Sequence, residues 1–145
     1  MKRKNIIVLL GPNLDMTGIY EKSIYGEETI ESIKSQIIAR GETFNLNCEV
    51  FQSNWEGALI DKLHDTRNNF DGGIINPGAL CHYSYALRDA ISSIRVPFVE
   101  VHMTNIYSRE EFRRHSVIAD VCVGQIVGLG KNSYFLALEA IKELI

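Results

Sequence analysis

Chemistry-bearing residue types gather most densely in the stretch 96–116, VPFVEVHMTNIYSREEFRRHS. A short apolar run, Pro97 to Val101, contains Glu100 and delivers His102 at its end. On a strand, residues two apart leave the same face, so a carboxylate and an imidazole would stand side by side. A carboxylate beside an imidazole holds its tautomer and favours its charged form, the arrangement of a general acid with an orienting partner. Ser108 and Glu111 carry the spacing of a capping box and predict a helix bearing Arg109, Arg113 and Arg114. An acid–imidazole pair beside guanidinium groups suits an anionic substrate. The same residues would also serve as a buried ion pair beside a solvated helix.

The elements that must position these groups follow from periodicity. Asn5–Leu10, Leu46–Gln52, Gly72–Asn76, Pro97–Val101 and Val121–Val127 read as strands. Between them, Ile30, Ile33 and Ile37 give helical spacing over Glu27–Arg40, with Gly41 as its C′ residue. Ser53 and Glu56 predict a capped helix with Trp55, Leu59 and Leu63 on one stripe. His82–Ile94, with Tyr83, Leu87, Ala90, Ile91 and Ile94 inward, and Ser133–Ile145 complete the set. Strict alternation of strand and helix implies right-handed crossovers and a parallel sheet covered on both faces. Five strands predict a flavodoxin-like, doubly wound α/β fold of order 2-1-3-4-5 in a single domain, residues 1–145. The glycine-rich, polar stretch from about residue 14 to 26 is the length of a functional loop or lid.

In that strand order the carboxyl ends of the first, third and fourth strands are neighbours. They bring together Gly11-Pro12-Asn13, Asn76-Pro77-Gly78 and His102-Met103-Thr104, where such sheets bind ligands. Asn13 and Asn76 also suit plain turn chemistry. His82, at the start of the predicted helix, would face an anion held by the helix N-terminus, or would simply pack. Tyr25 lies in the lid segment; as a base it would need cations nearby to ionise. Arg113 could bind a carboxylate or hydroxyl of the ligand.

Composition narrows the alternatives. With 46% apolar and 23% charged residues, the 145-residue chain has an ordinary globular balance, and a net charge of −3 argues against nucleic acid as a partner. Cys48, Cys81 and Cys122 are scattered and odd in number, as expected of reduced thiols in the cytoplasm. The basic start runs into only five apolar residues before Gly11, too few for a signal peptide, and no run approaches a membrane span. No GxGxxG or GxxxxGK[ST] cradle is present, and no His, Cys and Asp residues have metal-ligand spacing.

The chain resembles the type II 3-dehydroquinate dehydratases along nearly its whole length. The matching segments are Gly11-Pro12-Asn13-Leu14, Tyr25-Gly26, Asn76-Pro77-Gly78-Ala79 with His82, Ala86 to Ala90, Glu100-Val101-His102, Arg109 to Ser116, and Ile126 to Gly130. The resemblance implies a lyase of the shikimate and quinate pathways, serving aromatic amino acid biosynthesis or quinate catabolism, that converts 3-dehydroquinate to 3-dehydroshikimate without metal or cofactor. It assigns Tyr25 as the base that removes the C2 proton and His102 as the acid for the C1 hydroxyl, with Glu100 orienting His102. Asn13 would hold a water at the enolate. Asn76, His82 and Arg113 would hold substrate hydroxyls, and the backbone N–H groups of Met103 and Thr104 its carboxylate. Asp89 would come from a neighbouring subunit of a homododecamer built from trimers. The departures are Leu10 and Asp15 for asparagines, Lys22 for a proline, Cys81 for a threonine that would cap the helix, and Tyr20 for the lid arginine that helps ionise the base. Lys22 or Arg113 would have to replace that cation in part. The rival reading is an impaired homologue that binds a shikimate-type acid as a sensor. A flavin or phosphoacceptor module of the same fold fits least, for lack of a phosphate loop and an acidic cluster.

Overall fold

The computed structural model describes residues 2–19 and 28–145. Five strands, β1 (Lys4–Leu10), β2 (Leu46–Gln52), β3 (Gly72–Asn76), β4 (Phe98–His102) and β5 (Gly124–Val127), form one parallel sheet. Its order is β2-β1-β3-β4-β5, as the alternation of elements implies. The helices are α1 (Ile30–Thr43), α2 (Glu56–Asn69), α3 (Tyr85–Ile94) and α4 (Asn132–Lys142).

Side-chain alternation along β1 divides the core in two. Ile6, Val8 and Leu10 pack with Ile33 and Ile37 of α1 and with Tyr134, Leu138 and Ile141 of α4. Ile7 and Leu9 turn the other way, against Leu59 and Leu63 of α2 and Leu87 and Ile91 of α3. All five of these β1 residues are fully buried, so this interior strand has no polar face from Ile6 to Leu10. Burying such side chains contributes about 1.5–3 kcal/mol each, and this two-sided burial fixes where the strand ends emerge.

Several local expectations give way. Helix α1 begins after Thr29, whose side chain accepts from Ser32 N–H at 3.2 Å, and runs through Gly41 to Thr43. Gly41 is therefore a packing residue: a Cβ there would lie 2.4 Å from Cys48 Sγ. Ser53 accepts from Trp55 N–H rather than capping at Glu56, and Trp55 is exposed, outside the apolar stripe of α2. The predicted helix over His82–Ile94 splits. Gly78–His82 is a 3-10 turn, and α3 starts only after Ser84, whose hydroxyl accepts from Leu87 N–H at 3.0 Å. Ser84, not Cys81, thus caps α3, and Tyr83, expected inward, is exposed. The last strand is also shorter than predicted, because Ala119–Val121 forms a 3-10 turn.

Ser84 has a second task. Its hydroxyl donates to the Glu56 carboxylate at 2.5 Å, tying the start of α3 to the start of α2. Ser84→Ala removes both contacts from a buried position. It should lower stability by about 1–2 kcal/mol, seen as a lower midpoint in urea with an unchanged slope.

Candidate active site

A cleft of about 160 Å³ opens where the carboxyl ends of β1, β3 and β4 meet. Its lining includes Asn13, Asn76, His82, His102, Met103, Thr104 and Arg113, with Thr17, Ile106 and Arg109 beside them. Beside the cleft, the backbone leaving β1 and β3 is in close approach. Gly11 N–H donates to Asn76 O at 2.8 Å, and a Cβ on Gly11 would sit 2.4 Å from Pro77 O. Only glycine lets these two strand ends touch.

Asn13 follows with φ 71°, a left-handed conformation that asparagine tolerates. Its N–H donates to the Asn54 side chain at 2.9 Å, which fixes the turn out of β1. Asn76 is buried at the end of β3. It donates from Nδ2 to the Tyr134 hydroxyl at 2.8 Å and accepts from Gly78 N–H at 3.2 Å. One amide N–H and one acceptor position of its side chain are left for a ligand. Tyr134 is completely buried, and burial pushes its phenol well above the usual tyrosine range, so it stays protonated.

Glu100 and His102 leave β4 on the same face, as their spacing requires. His102 Nε2 lies 2.5 Å from Glu100 Oε2. Glu100 is fully buried and His102 nearly so. Two further donors converge on the carboxylate: Ser116 Oγ at 2.9 Å to Oε1 and Gln125 Nε2 at 3.0 Å to Oε2. A carboxylate that accepts from both takes its third bond from Nε2–H. The imidazole's Nδ1 is then the nitrogen left to exchange a proton.

Gln125 faces Glu100 across the register of β4 and β5. Once the strand order is assumed, that pairing is a usable signal in the sequence. Ser116 comes from an irregular segment and offers none. Ser116 Oγ also accepts from Ile118 and Ala119 N–H, at 3.3 and 3.2 Å, so it anchors that segment as well.

The remaining predicted residues take different positions. His82 does not start a helix; it ends the 3-10 turn Gly78–His82, so the helix-dipole argument fails there. Its Nδ1 is 2.8 Å from His115 O, and its ring meets Phe112 edge-on. The predicted helix from Ser108 is two separate 3-10 turns, Ile106–Ser108 and Glu111–Arg114, with extended backbone at Arg109 and Glu110. The segment has no apolar stripe to bury, and Phe112 stands exposed, so nothing supports a longer helix. Asn105 caps the first turn through Oδ1 to Tyr107 N–H at 3.1 Å. Arg113 reaches the cleft while its guanidinium pairs with Glu110 at 3.2 Å, which holds that carboxyl below its usual range. Asp89 is exposed on α3 and does not line the cleft. Tyr20, Lys22 and Tyr25 fall outside the described residues.

A model for dehydroquinase class II matches residues 4–142. The chain belongs to the class II dehydroquinase family. A 3-dehydroquinate dehydratase of Caldicellulosiruptor saccharolyticus is 52% identical over 143 residues, covering 98% of this chain and 99% of that protein. One of Lachnospira eligens is 50% identical over 141 residues, covering 96% of each chain. Among solved structures, the type II dehydroquinase of Butyrivibrio crossotus superposes with a TM-score of 0.95 at 45% identity, covering 97% of this chain and 99% of that one. A 3-dehydroquinate dehydratase-like protein from Bifidobacterium longum superposes with a TM-score of 0.73 at 28% identity, covering 97% of each.

Tyr134→Phe tests how this dehydroquinase holds Asn76. The amide loses a buried acceptor and gains freedom to turn. Stability should fall by about 1 kcal/mol, measured by urea titration, and ligand affinity should fall with it.

Proposed function

We propose that the protein catalyses dehydration of 3-dehydroquinate to 3-dehydroshikimate. The observation that carries this reading is the buried Glu100–His102 pair at a polar cleft, in a chain about half identical over its length to proteins named 3-dehydroquinate dehydratase. A pair fixed by Ser116 and Gln125 suits proton transfer to a leaving group.

The reaction removes a proton from C2 and hydroxide from C1, the latter leaving as water. Tyr25, as phenolate, takes the C2 proton, and the electron pair moves into the neighbouring ketone as an enolate. Charge on the enolate oxygen is stabilised by a water held at Asn13. The enolate collapses, the C1–O bond breaks, and the His102 imidazolium protonates the departing oxygen. Glu100 accepts from Nε2–H, so the proton handed over comes from Nδ1. Asn76, His82 and Arg113 hold the substrate hydroxyls, and Met103 and Thr104 present backbone N–H groups to its carboxylate. The Arg113 guanidinium is shared with Glu110 and is available to the ligand only in part.

The same reading makes the protein a cytoplasmic enzyme of the shikimate pathway, assembled as a dodecamer of trimers. Exposure of Asp89 on α3 is compatible with its reaching a neighbouring subunit's site. None of the helices is long and apolar enough to cross a membrane, among the described residues. The sensor alternative rests on Tyr20, which lies outside the described residues, and on Asp15, which is exposed and does not line the cleft.

Mixing the purified protein with 3-dehydroquinate should produce the ultraviolet absorbance of the conjugated enone. Tyr25→Phe and His102→Ala should each reduce kcat by about 10²–10⁴-fold; a full signal from either variant would reject its assigned role. Tyr20→Arg should raise turnover if the lid lacks a cation, and no change would make that position irrelevant here. Size-exclusion chromatography with light scattering tests the assembly, with a monomer as the contrary result.

A further inference from the structure

Spacing along the chain gives no metal site, yet the fold assembles a candidate from different elements. Cys81, in the turn after β3, comes beside Glu100 and His102 of β4. One ligand atom from each lies within 4.8 Å of the others, and all three residues are buried. We propose that Cys81, Glu100 and His102 form an inhibitory site for a thiophilic divalent cation of the zinc and cadmium class.

The donor set is the first argument. A thiolate, a carboxylate and an imidazole are three ligand types that zinc takes together, with a fourth position left to water or substrate. Zinc–sulfur and zinc–nitrogen bonds of about 2.3 and 2.0 Å place ligand atoms roughly 3.5 Å apart in a tetrahedron. The ligand atoms lie within 4.8 Å of one another, and His102 Nε2 and Glu100 Oε2, now 2.5 Å apart, must separate to admit the cation. Charge is the second argument. One divalent cation neutralises one thiolate and one carboxylate, so the filled site has no net charge in a buried setting.

Access is the third argument. His102 lines the cleft, whereas Cys81 and Glu100 are fully buried outside its lining, so the cation enters past His102 to the acceptor position that Glu100 keeps beyond its three donors. The His82 ring lies against the thiol, with Nδ1 at 3.4 Å from Cys81 Sγ. Two features oppose binding and set its strength. Burial, then the Glu100 charge, push the Cys81 thiol far above its usual range, so the cation must displace a proton. Arg113 is close enough to act on the same sulfur, although its guanidinium is engaged with Glu110.

Binding is a coordination step. The thiol proton leaves to the buffer, the Nε2 proton that Glu100 accepts is given up while Nδ1 takes one, and sulfur, Nε2 and the carboxylate bond the cation with no oxidant or reductant involved. The cation occupies the imidazole and carboxylate of the proposed acid–base pair, so turnover stops while it is bound. That effect on turnover rests on the dehydratase reading; the binding itself does not.

The test therefore begins without substrate. Cadmium titrated into the reduced protein should develop the ultraviolet cadmium–thiolate charge-transfer band with one-to-one stoichiometry. In Cys81→Ser the band should vanish, and zinc affinity, measured by competition with a chromophoric chelator, should fall at least about tenfold, because an alcohol is a poor soft-metal ligand. Should that variant fail to fold, the Cys48→Ser/Cys122→Ser double variant keeps Cys81 as its one thiol and should retain the band. No band in the wild-type protein, a band that persists in folded Cys81→Ser, or a band lost from the double variant would overturn the site. In a turnover assay, zinc should inhibit the wild type reversibly by chelator, and Cys81→Ser should need at least about tenfold more zinc for the same inhibition. Equal sensitivity of Cys81→Ser would place the inhibitory ion elsewhere.

Discussion

A carboxylate with no exposure to water sits beneath the cleft, and the surrounding structure is arranged to keep it there. An isolated ionised group in such a place would cost far more than a domain's whole stability. Glu100 is tolerated because three donors reach its two oxygens from β4, from β5 and from the segment between them. Each donor depends on the sheet. Gln125 is opposite Glu100 only because β5 pairs with β4 in parallel, and His102 is on the same face only because the strand continues to its last residue. The acid–base pair is therefore a property of the sheet edge.

Much of this was legible beforehand. Apolar runs bounded by Gly, Pro and Asn located the strands, and strand–helix alternation settled their parallel order. The same-face relation of Glu100 and His102 followed from period two alone. The convergence of Asn13, Asn76 and His102 follows from strand order, since Asn76 and His102 close β3 and β4 and Asn13 lies in the turn leaving β1, their neighbour.

What escaped was set by tertiary contact. Gly41 looks like a helix terminus by residue type, yet its lack of a side chain accommodates Cys48 Sγ, and α1 continues past it. Ser108 and Glu111 have the spacing of a cap, but Ser108 ends the first 3-10 turn and donates to Asn105 O, and the turn at Glu111 has no side-chain cap. His82 and Tyr83 have the right period for a helix that in fact waits for Ser84, the residue able to satisfy both Leu87 N–H and Glu56. Ser116 had no local signature at all, because its partner is a carboxylate sixteen residues away. The closeness of Cys81 to Glu100 and His102 was likewise hidden by their separation along the chain.

The approach of Gly11 to Pro77 has a consequence for how the family can diversify. The turns leaving β1 and β3 meet main chain against main chain, and residues that line the cleft flank that contact. Exchanging residues on the rim leaves that foundation undisturbed, so ligand preference can drift through successive replacements without the scaffold having to be reinvented. A single methyl group added at Gly11 would do the reverse, prying the two strand ends apart while every reactive group kept its identity.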